Sequence, residues 1–204
     1  DAIPDTFFWE IESHDGEISY LLGTIHIGRE GSRSHLERYQ PYLEKSAHFV
    51  TEVLLDLDDD TAKRIEEMTQ QSTQNNSSSY LKELGDEQKF ALKQIVEGAF
   101  ERELTQEELS LIIRHLEQYQ DWAILMQLIA LNNPPTFSNE LGVEVLLAEL
   151  TTLPNSELES ILDLIELFKL LPNEAIEQAF LALLKEVEEQ HKIIEELYHH
   201  YITD

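Results

Sequence analysis

The run Tyr20-Leu21-Leu22-Gly23-Thr24-Ile25-His26-Ile27-Gly28 carries the sharpest chemical signal in the chain. A strand-like apolar run ends in a histidine bracketed by two glycines. Gly23 lets a second backbone or a ligand come close, and Gly28 permits an abrupt turn just after the strand. Strand ends are where mixed α/β sheets place reactive groups. As neutral imidazole, His26 can ligate a metal, and near neutral pH it can take or give a proton. A histidine satisfied by backbone hydrogen bonds in a strand reads the same way.

Glu52 is the second such residue. It interrupts Ala47-His48-Phe49-Val50-Thr51-Glu52-Val53-Leu54-Leu55, an otherwise strand-like run. A carboxylate buried there without a partner costs several kcal/mol, so it faces solvent, pairs with a cation or binds a metal. Strand alternation puts His48, Val50, Glu52 and Leu54 on one face. Beside His26, Glu52 completes half of a nitrogen–oxygen site for zinc, manganese or another divalent ion, and at least one further ligand is then required. On a plain solvent face it needs none.

The remaining groups carry less. His199 and His200 adjoin on a helix and point apart, and His115 and His191 read as packing or surface residues. Asp56, Asp58, Asp59 and Asp60 lack the Gly and Glu positions of a calcium loop and read as a solvated helix start that suits the helix dipole. No phosphate-binding glycine loop and no Gly-x-Ser-x-Gly elbow occurs. The absence of cysteine excludes disulfides, thiolate zinc sites and cysteine nucleophiles.

The elements that must position these groups follow from the local pattern. Thr6 to Ile11 and Ile18 to Leu22 flank Asp15-Gly16, a favoured tight-turn dipeptide, so residues 6–27 read as a β-hairpin. A short helix is expected near Leu36 to Glu44 and a third strand at Ala47 to Leu55. Asp60 or Thr61 is expected to cap a helix ending near Gln70, and Gln70 to Ser79 reads as a loop. Asp86 is expected to cap a helix bearing Phe90, Ile95, Ala99 and Phe100. Thr105-Gln106-Glu107-Glu108 is a capping box before one long stripe from Leu109 to Ile129, stopped by Asn132-Asn133-Pro134-Pro135. A short helix at Asn139 to Leu150 follows. Ser156 to Glu159 reads as a second capping box, with the helix it opens ending at Pro172. Asn173 then caps a last, longest helix whose stripe is Ile176, Phe180, Leu184, Val187, Ile194 and Tyr198, continuing to Tyr201.

These elements give a mixed α/β, helix-dominated chain: a small N-terminal β-sheet, hairpin plus third strand, covered or followed by a helical array. Residues 1–204 read as a single domain incomplete at the C-terminus, strand-rich over residues 1–56 and helical over residues 57–204. With 14 Lys and Arg against 41 Asp and Glu, the net charge is −27, which repels nucleic acid and anionic lipid. An apolar content of 42% still supplies a core. No apolar run reaches the length of a membrane span.

Phe8-Trp9-Glu10-Ile11, the Asp15-Gly16 turn and Ser19 to Gly28 resemble the opening of the TraB/GumN family, which includes bacterial pheromone-shutdown proteins and is related to the Tiki proteases. Gly23 to His26 matches its first Gly-x-x-His signature, with Thr24 inside it and Gly28 after it. Val50-Thr51-Glu52-Val53 is similar to its next strand, Leu141-Gly142-Val143-Glu144 to its Gly-Val-Asp segment, and Leu158-Glu159-Ser160 with Leu167-Phe168 and Leu171-Pro172 to its Leu-Glu-Thr region. Glu144 replaces the Asp, Asp121-Trp122 stands where many members have Pro-Trp, and no second Gly-x-x-His occurs.

The resemblance implies a metal-dependent hydrolase, protease-like, acting on a peptide or small-molecule carbonyl substrate. His26 and Glu52 would be metal ligands or acid–base groups, with Mn, Co or Zn as the divalent metal. It further implies an extracytoplasmic, periplasmic or secreted setting reached through a signal peptide. The competing expectation is a non-catalytic module that sequesters a cationic or amphipathic peptide on an acidic helical surface, or an inactive member. Long apolar terminal helices also exchange between protomers, so a homo-oligomer belongs among the expectations.

Overall fold

A computed structural model of the chain describes residues 7–72 and 80–203. The fold is helix-dominated and mixed α/β, as expected, and the chain divides into two compact units. The first comprises Asp1–Leu55, Thr136–Leu158 and Lys192–Asp204, and the second comprises Asp56–Pro135 and Glu159–His191.

The first unit opens with β1 (Phe8–Glu12) and β2 (Ile18–Leu22), an antiparallel hairpin in which Trp9 faces Leu21 and Glu10 faces Tyr20. Its turn forms as the dipeptide dictates: Gly16 has φ +82°, its N–H donates to the Ser13 carbonyl at 2.9 Å, and Ser13 N–H donates to Glu17 at 2.8 Å. Phe8 packs on Tyr20, Tyr39 and Tyr42 with ring centroids 5.7, 5.3 and 4.7 Å away. Tyr39 belongs to a 3₁₀ turn between α1 (Ser32–Leu36) and α2 (Gln40–Lys45). The third expected strand is present as β3 (Phe49–Thr51), shorter than the apolar run, with Phe49 and Thr51 buried and Val50 exposed. It pairs in parallel with β4 (Asn155–Glu157) and not with the hairpin. A 3₁₀ turn at Asn139–Leu141 leads into α7 (Val143–Glu149). Leu36, Tyr39, Phe49, Val143, Leu146, Leu147 and Tyr201 form the core of this unit.

The second unit is all helix among its described residues: α3 (Asp59–Gln71), α4 (Asp86–Phe100), α5 (Gln106–Leu116), α6 (Asp121–Leu131), α8 (Ile161–Lys169) and α9 (Asn173–Leu183). Its core holds Leu92, Ile95, Ile124, Leu125, Leu128 and Phe180, each at most 1% exposed. The helix α10 (Val187–Thr203) starts in this unit, and its residues from Lys192 belong to the first.

Several local expectations are corrected. Asp58, not Asp60 or Thr61, caps α3 by accepting from Thr61 N–H at 2.6 Å. Gly85 is the N-cap of α4, and Phe90 and Phe100 of the expected stripe are 61% and 59% exposed. The Thr105–Glu108 capping box forms, with Thr105 N–H donating to Glu108 at 2.8 Å and Glu108 N–H to Thr105 at 3.2 Å. The long stripe it opens breaks at 117–120, where Gln120 N-caps α6 and accepts from the Trp122 indole at 2.8 Å. The break lets Leu116 and Trp122 both bury in one core. The second expected capping box does not form: Ser156 and Glu157 lie in β4, and Ser160 is the N-cap of α8 without a side-chain bond. Pro172, not Asn173, precedes α9 as N-cap, and the expected last helix is divided at Glu186, whose φ is +50°. Gln190 reaches back to the Ala182 carbonyl at 2.8 Å, satisfying an acceptor that the end of α9 leaves free. The loop expected at Gln70 to Ser79 falls largely outside the described residues.

Candidate functional site

Every group of the site belongs to the first unit. His26 is exposed, on the segment that follows β2. That segment is zipped backbone to backbone onto residues 138–143: Gly28 N–H donates to Ser138 at 3.0 Å, Ser138 N–H returns to Gly28 at 2.8 Å, and Val143 N–H donates to Ile25 at 3.0 Å. The contact is too close for side chains. A Cβ on Gly28 would sit 1.9 Å from the Leu141 carbonyl oxygen, and one on Gly142 would sit 2.5 Å from that of His26.

This revises the roles read for the two glycines of the motif. Gly28 is required by close approach and not by a left-handed turn, which belongs to Gly31 at φ +94°. Gly23 has only ordinary contacts, the nearest with Phe7 at 3.6 Å. Its carbonyl accepts from Tyr201 Oη at 2.8 Å. Within the same helix, α10, the Tyr198 hydroxyl bonds Ser32 Oγ, which also bonds the backbone of Arg29 at both N–H, 3.1 Å, and carbonyl, 2.7 Å. Two tyrosines one turn apart thus fix the two ends of the histidine segment.

The zipper brings α7 against the histidine. Glu144 has an 11% exposed side chain, and its Oε1 accepts from His26 Nδ1 at 2.9 Å and from Thr24 Oγ1. Burial alone pushes the Glu144 carboxyl up, but the His26 and Thr24 hydrogen bonds outweigh it and hold the group below the usual carboxylate range. On the histidine, the Glu144 hydrogen bond is the largest influence and raises it above its ordinary 6.5. Burial opposes, and the charges of Glu144 and Glu52 add to the rise.

The other ring nitrogen, Nε2, lies 3.5 Å from Glu52 Oε2, with the two side chains 68% and 57% exposed. Glu52 follows directly after β3, and its position is set by β4. Leu158 N–H donates to the carbonyls of Thr51 at 3.0 Å and Glu52 at 3.2 Å. Asn155 Nδ2 donates to Thr51 Oγ1 at 2.7 Å, and its Oδ1 accepts from Leu55 N–H at 3.1 Å.

The structure therefore gathers His26, Glu52, Glu144 and Thr24, residues that the sequence scatters over 120 positions. Glu159 lies in the second unit, exposed, just before the N-cap of α8. Sequence reasoning missed Ser138, Ser32 and Asn155, ordinary polar residues with no spacing that marks them. Tyr198 and Tyr201 did carry a signal, as apolar residues very late in a polar helix.

The arrangement has the donor chemistry of a divalent-metal ligand pair. A carboxylate on the Nδ1 side fixes the tautomer that leaves Nε2 as a lone pair, and Glu52 adds an anionic oxygen on the same solvent-open side. Among the described residues no group of three or more His, Asp or Glu is arranged as a metal site. Without metal, the ring lies between two carboxylates whose charges favour its protonated form.

Among the described residues no helix is long and apolar enough to cross a membrane. The model of the TraB/PrgY/gumN family matches residues 7–204. Searches of curated proteins and of solved structures each return no match.

Proposed function

We propose, from the premise that the chain belongs to the TraB/PrgY/gumN family, that it is a metal-dependent hydrolase of peptide or similar carbonyl substrates. The single observation that supports this reading is the 2.9 Å bond from His26 Nδ1 to the buried Glu144 carboxylate, which leaves Nε2 facing Glu52 and solvent.

In this reading Glu144 is a positioning residue. It holds the proton on Nδ1 and, with Thr24, keeps the ring aimed outward. His26 Nε2 and the Glu52 carboxylate would hold a divalent ion such as Mn, Co or Zn, whose chemistry is to polarise a carbonyl and lower the pKa of water. The metal competes with the proton on His26, so loading is favoured as pH rises. Glu52 also offers an acceptor for a proton released from attacking water at the same open face. The proposal includes the extracytoplasmic setting that the family likeness implies, which fractionation of the tagged natural protein checks.

The test is cleavage of a quenched-fluorescence peptide library by purified protein supplied with Mn, Co or Zn. Metal-dependent turnover that falls at least about 100-fold in both His26→Ala and Glu52→Gln is expected, since these groups would touch the reacting atoms. Turnover unchanged in those variants would overturn the assignment. Peptides bound but left uncleaved with every metal would favour sequestration instead.

A further inference from the structure

Arg29 stands three residues beyond His26, exposed and on the same zipped segment. Its guanidinium lies over two buried rings, 5.7 Å from the centroid of Phe137 and 5.5 Å from that of Tyr198. Those rings meet edge to face at 5.0 Å and are 8% and 2% exposed, so they form a fixed platform. The backbone of Arg29 is pinned by Ser32, which Tyr198 holds in turn. In a chain with 41 acidic residues, Arg29 has no carboxylate within ion-pairing distance among the described residues. It opens instead onto a cleft of about 330 Å³ that it lines with Lys192, Glu195, Glu196, His199 and His200, one face of α10.

Resting on the hydrolase reading above, we propose that this cleft binds the terminal carboxylate of the peptide substrate, with Arg29 as its anchor. A guanidinium held over aromatic rings by cation–π attraction keeps N–H donors available for a carboxylate, which it can take in two parallel hydrogen bonds. The charge around it selects the source of that carboxylate. Glu195, Glu196 and a net charge of −27 repel a free small anion, and phosphate more than a carboxylate. A carboxylate carried on a peptide arrives with other contacts to offset the repulsion. Arg29 and His26 are at most about 11 Å apart at Cα.

The experiment is calorimetric binding to metal-free protein, where nothing is turned over. The probes are acetyl-trialanine, its C-terminal amide, and inorganic phosphate as competitor. Wild type is expected to bind the acid about tenfold or more tightly than the amide, in line with a charge-assisted bidentate pair. The ratio should fall to about one in Arg29→Gln and be partly restored in Arg29→Lys, with thermal unfolding unchanged in both. Equal affinity for acid and amide in wild type, a preference surviving in Arg29→Gln, or no binding of either peptide overturns the proposal. So does inorganic phosphate displacing the acid at concentrations near the acid's own Kd, since the cleft would then be a general anion site. An acid preference retained in His26→Ala, in a protein that cleaves nothing, upholds this anchor while the hydrolase reading alone fails.

Discussion

His26 Nδ1 lies 2.9 Å from Oε1 of Glu144, a carboxylate supplied by the first turn of a helix more than a hundred residues downstream. The histidine is exposed and the carboxylate buried, so the direction of control runs from Glu144 to His26. Both groups shift the way such a bond requires: the histidine upward, the carboxyl downward.

An NMR titration of the metal-free protein checks this coupling. His26 is expected to titrate above 6.5, and Glu144→Gln should return it toward that value by removing the largest influence. The sign for stability follows. The raised histidine contributes stability below its unfolded pKa and loses it as pH rises through the folded one. The depressed Glu144 contributes above its unfolded pKa and loses that as pH falls through the folded one. The pair therefore supports the fold fully between the two unfolded values, 4.5 for the carboxyl and 6.5 for the histidine, and progressively less toward either folded one. A His26 titration unaltered by Glu144→Gln would refute the coupling.

The backbone zipper makes a separate prediction. Gly28→Ala and Gly142→Ala place a methyl against carbonyl oxygens at 1.9 and 2.5 Å, and each should cost about 2–4 kcal/mol of unfolding free energy. Gly98, within α4, has nothing within 4 Å of its would-be Cβ. Gly98→Ala should instead add about 0.5–1 kcal/mol. Urea denaturation of the three variants decides it, and equal effects would show that the close approach is not what selects glycine.

Tyr201 is only 3% exposed, and its hydroxyl donates to Gly23 at 2.8 Å. Burial raises its ionisation well above the ordinary phenol value, so it remains a donor at any working pH. Tyr201→Phe removes one oxygen and leaves the ring in place. The expected loss is about 1–2 kcal/mol, accompanied by broadening of the His26 resonances as the segment loosens. Sharp, unshifted His26 signals would count against the clamp.

His35 offers a pH test away from the site. Its Nε2 is buried without a hydrogen-bond partner among the described residues, beside Tyr201 at 6.3 Å between rings. Burial lowers its pKa, and the Arg38 charge lowers it further. A histidine held neutral contributes stability above its unfolded pKa and loses it as pH falls through the depressed folded value. Between pH 7 and 5, wild type should therefore lose more stability than His35→Leu, as measured by unfolding at each pH. Parallel curves for the two proteins would contradict the buried neutral state.

Much of the fold was legible where local chemistry decides. Asp15-Gly16 sets a turn that only glycine's positive φ closes easily, and Thr105 with Glu108 satisfies helix donors within three residues. The failures share a cause, which is that the deciding partner is distant. Ser156 and Glu159 have capping-box spacing, yet the pull of β3 draws Ser156 and Glu157 into a parallel ladder. The stripe from Leu109 to Ile129 is continuous in sequence, and it breaks because Leu116 and Trp122 must enter one core. At the site, His26 and Glu52 stood out by type and setting. Glu144 entered only through family likeness, and its place on Nδ1 depends on a zipper of backbone atoms that residue type does not reveal. Gly28 and Gly142 carried that signal, but a turn and a close approach look alike in a string of letters.

The most direct measurement is a calorimetric titration of Mn, Co and Zn into metal-stripped wild type, His26→Ala, Glu52→Ala and, as a control in the second unit, Glu159→Ala. Stoichiometric binding in wild type and Glu159→Ala, weakened at least about tenfold in both site variants, is the expected result. Binding that survives both substitutions, or wild type that takes up none of the three ions, would contradict a metal-dependent site built on His26 and Glu52.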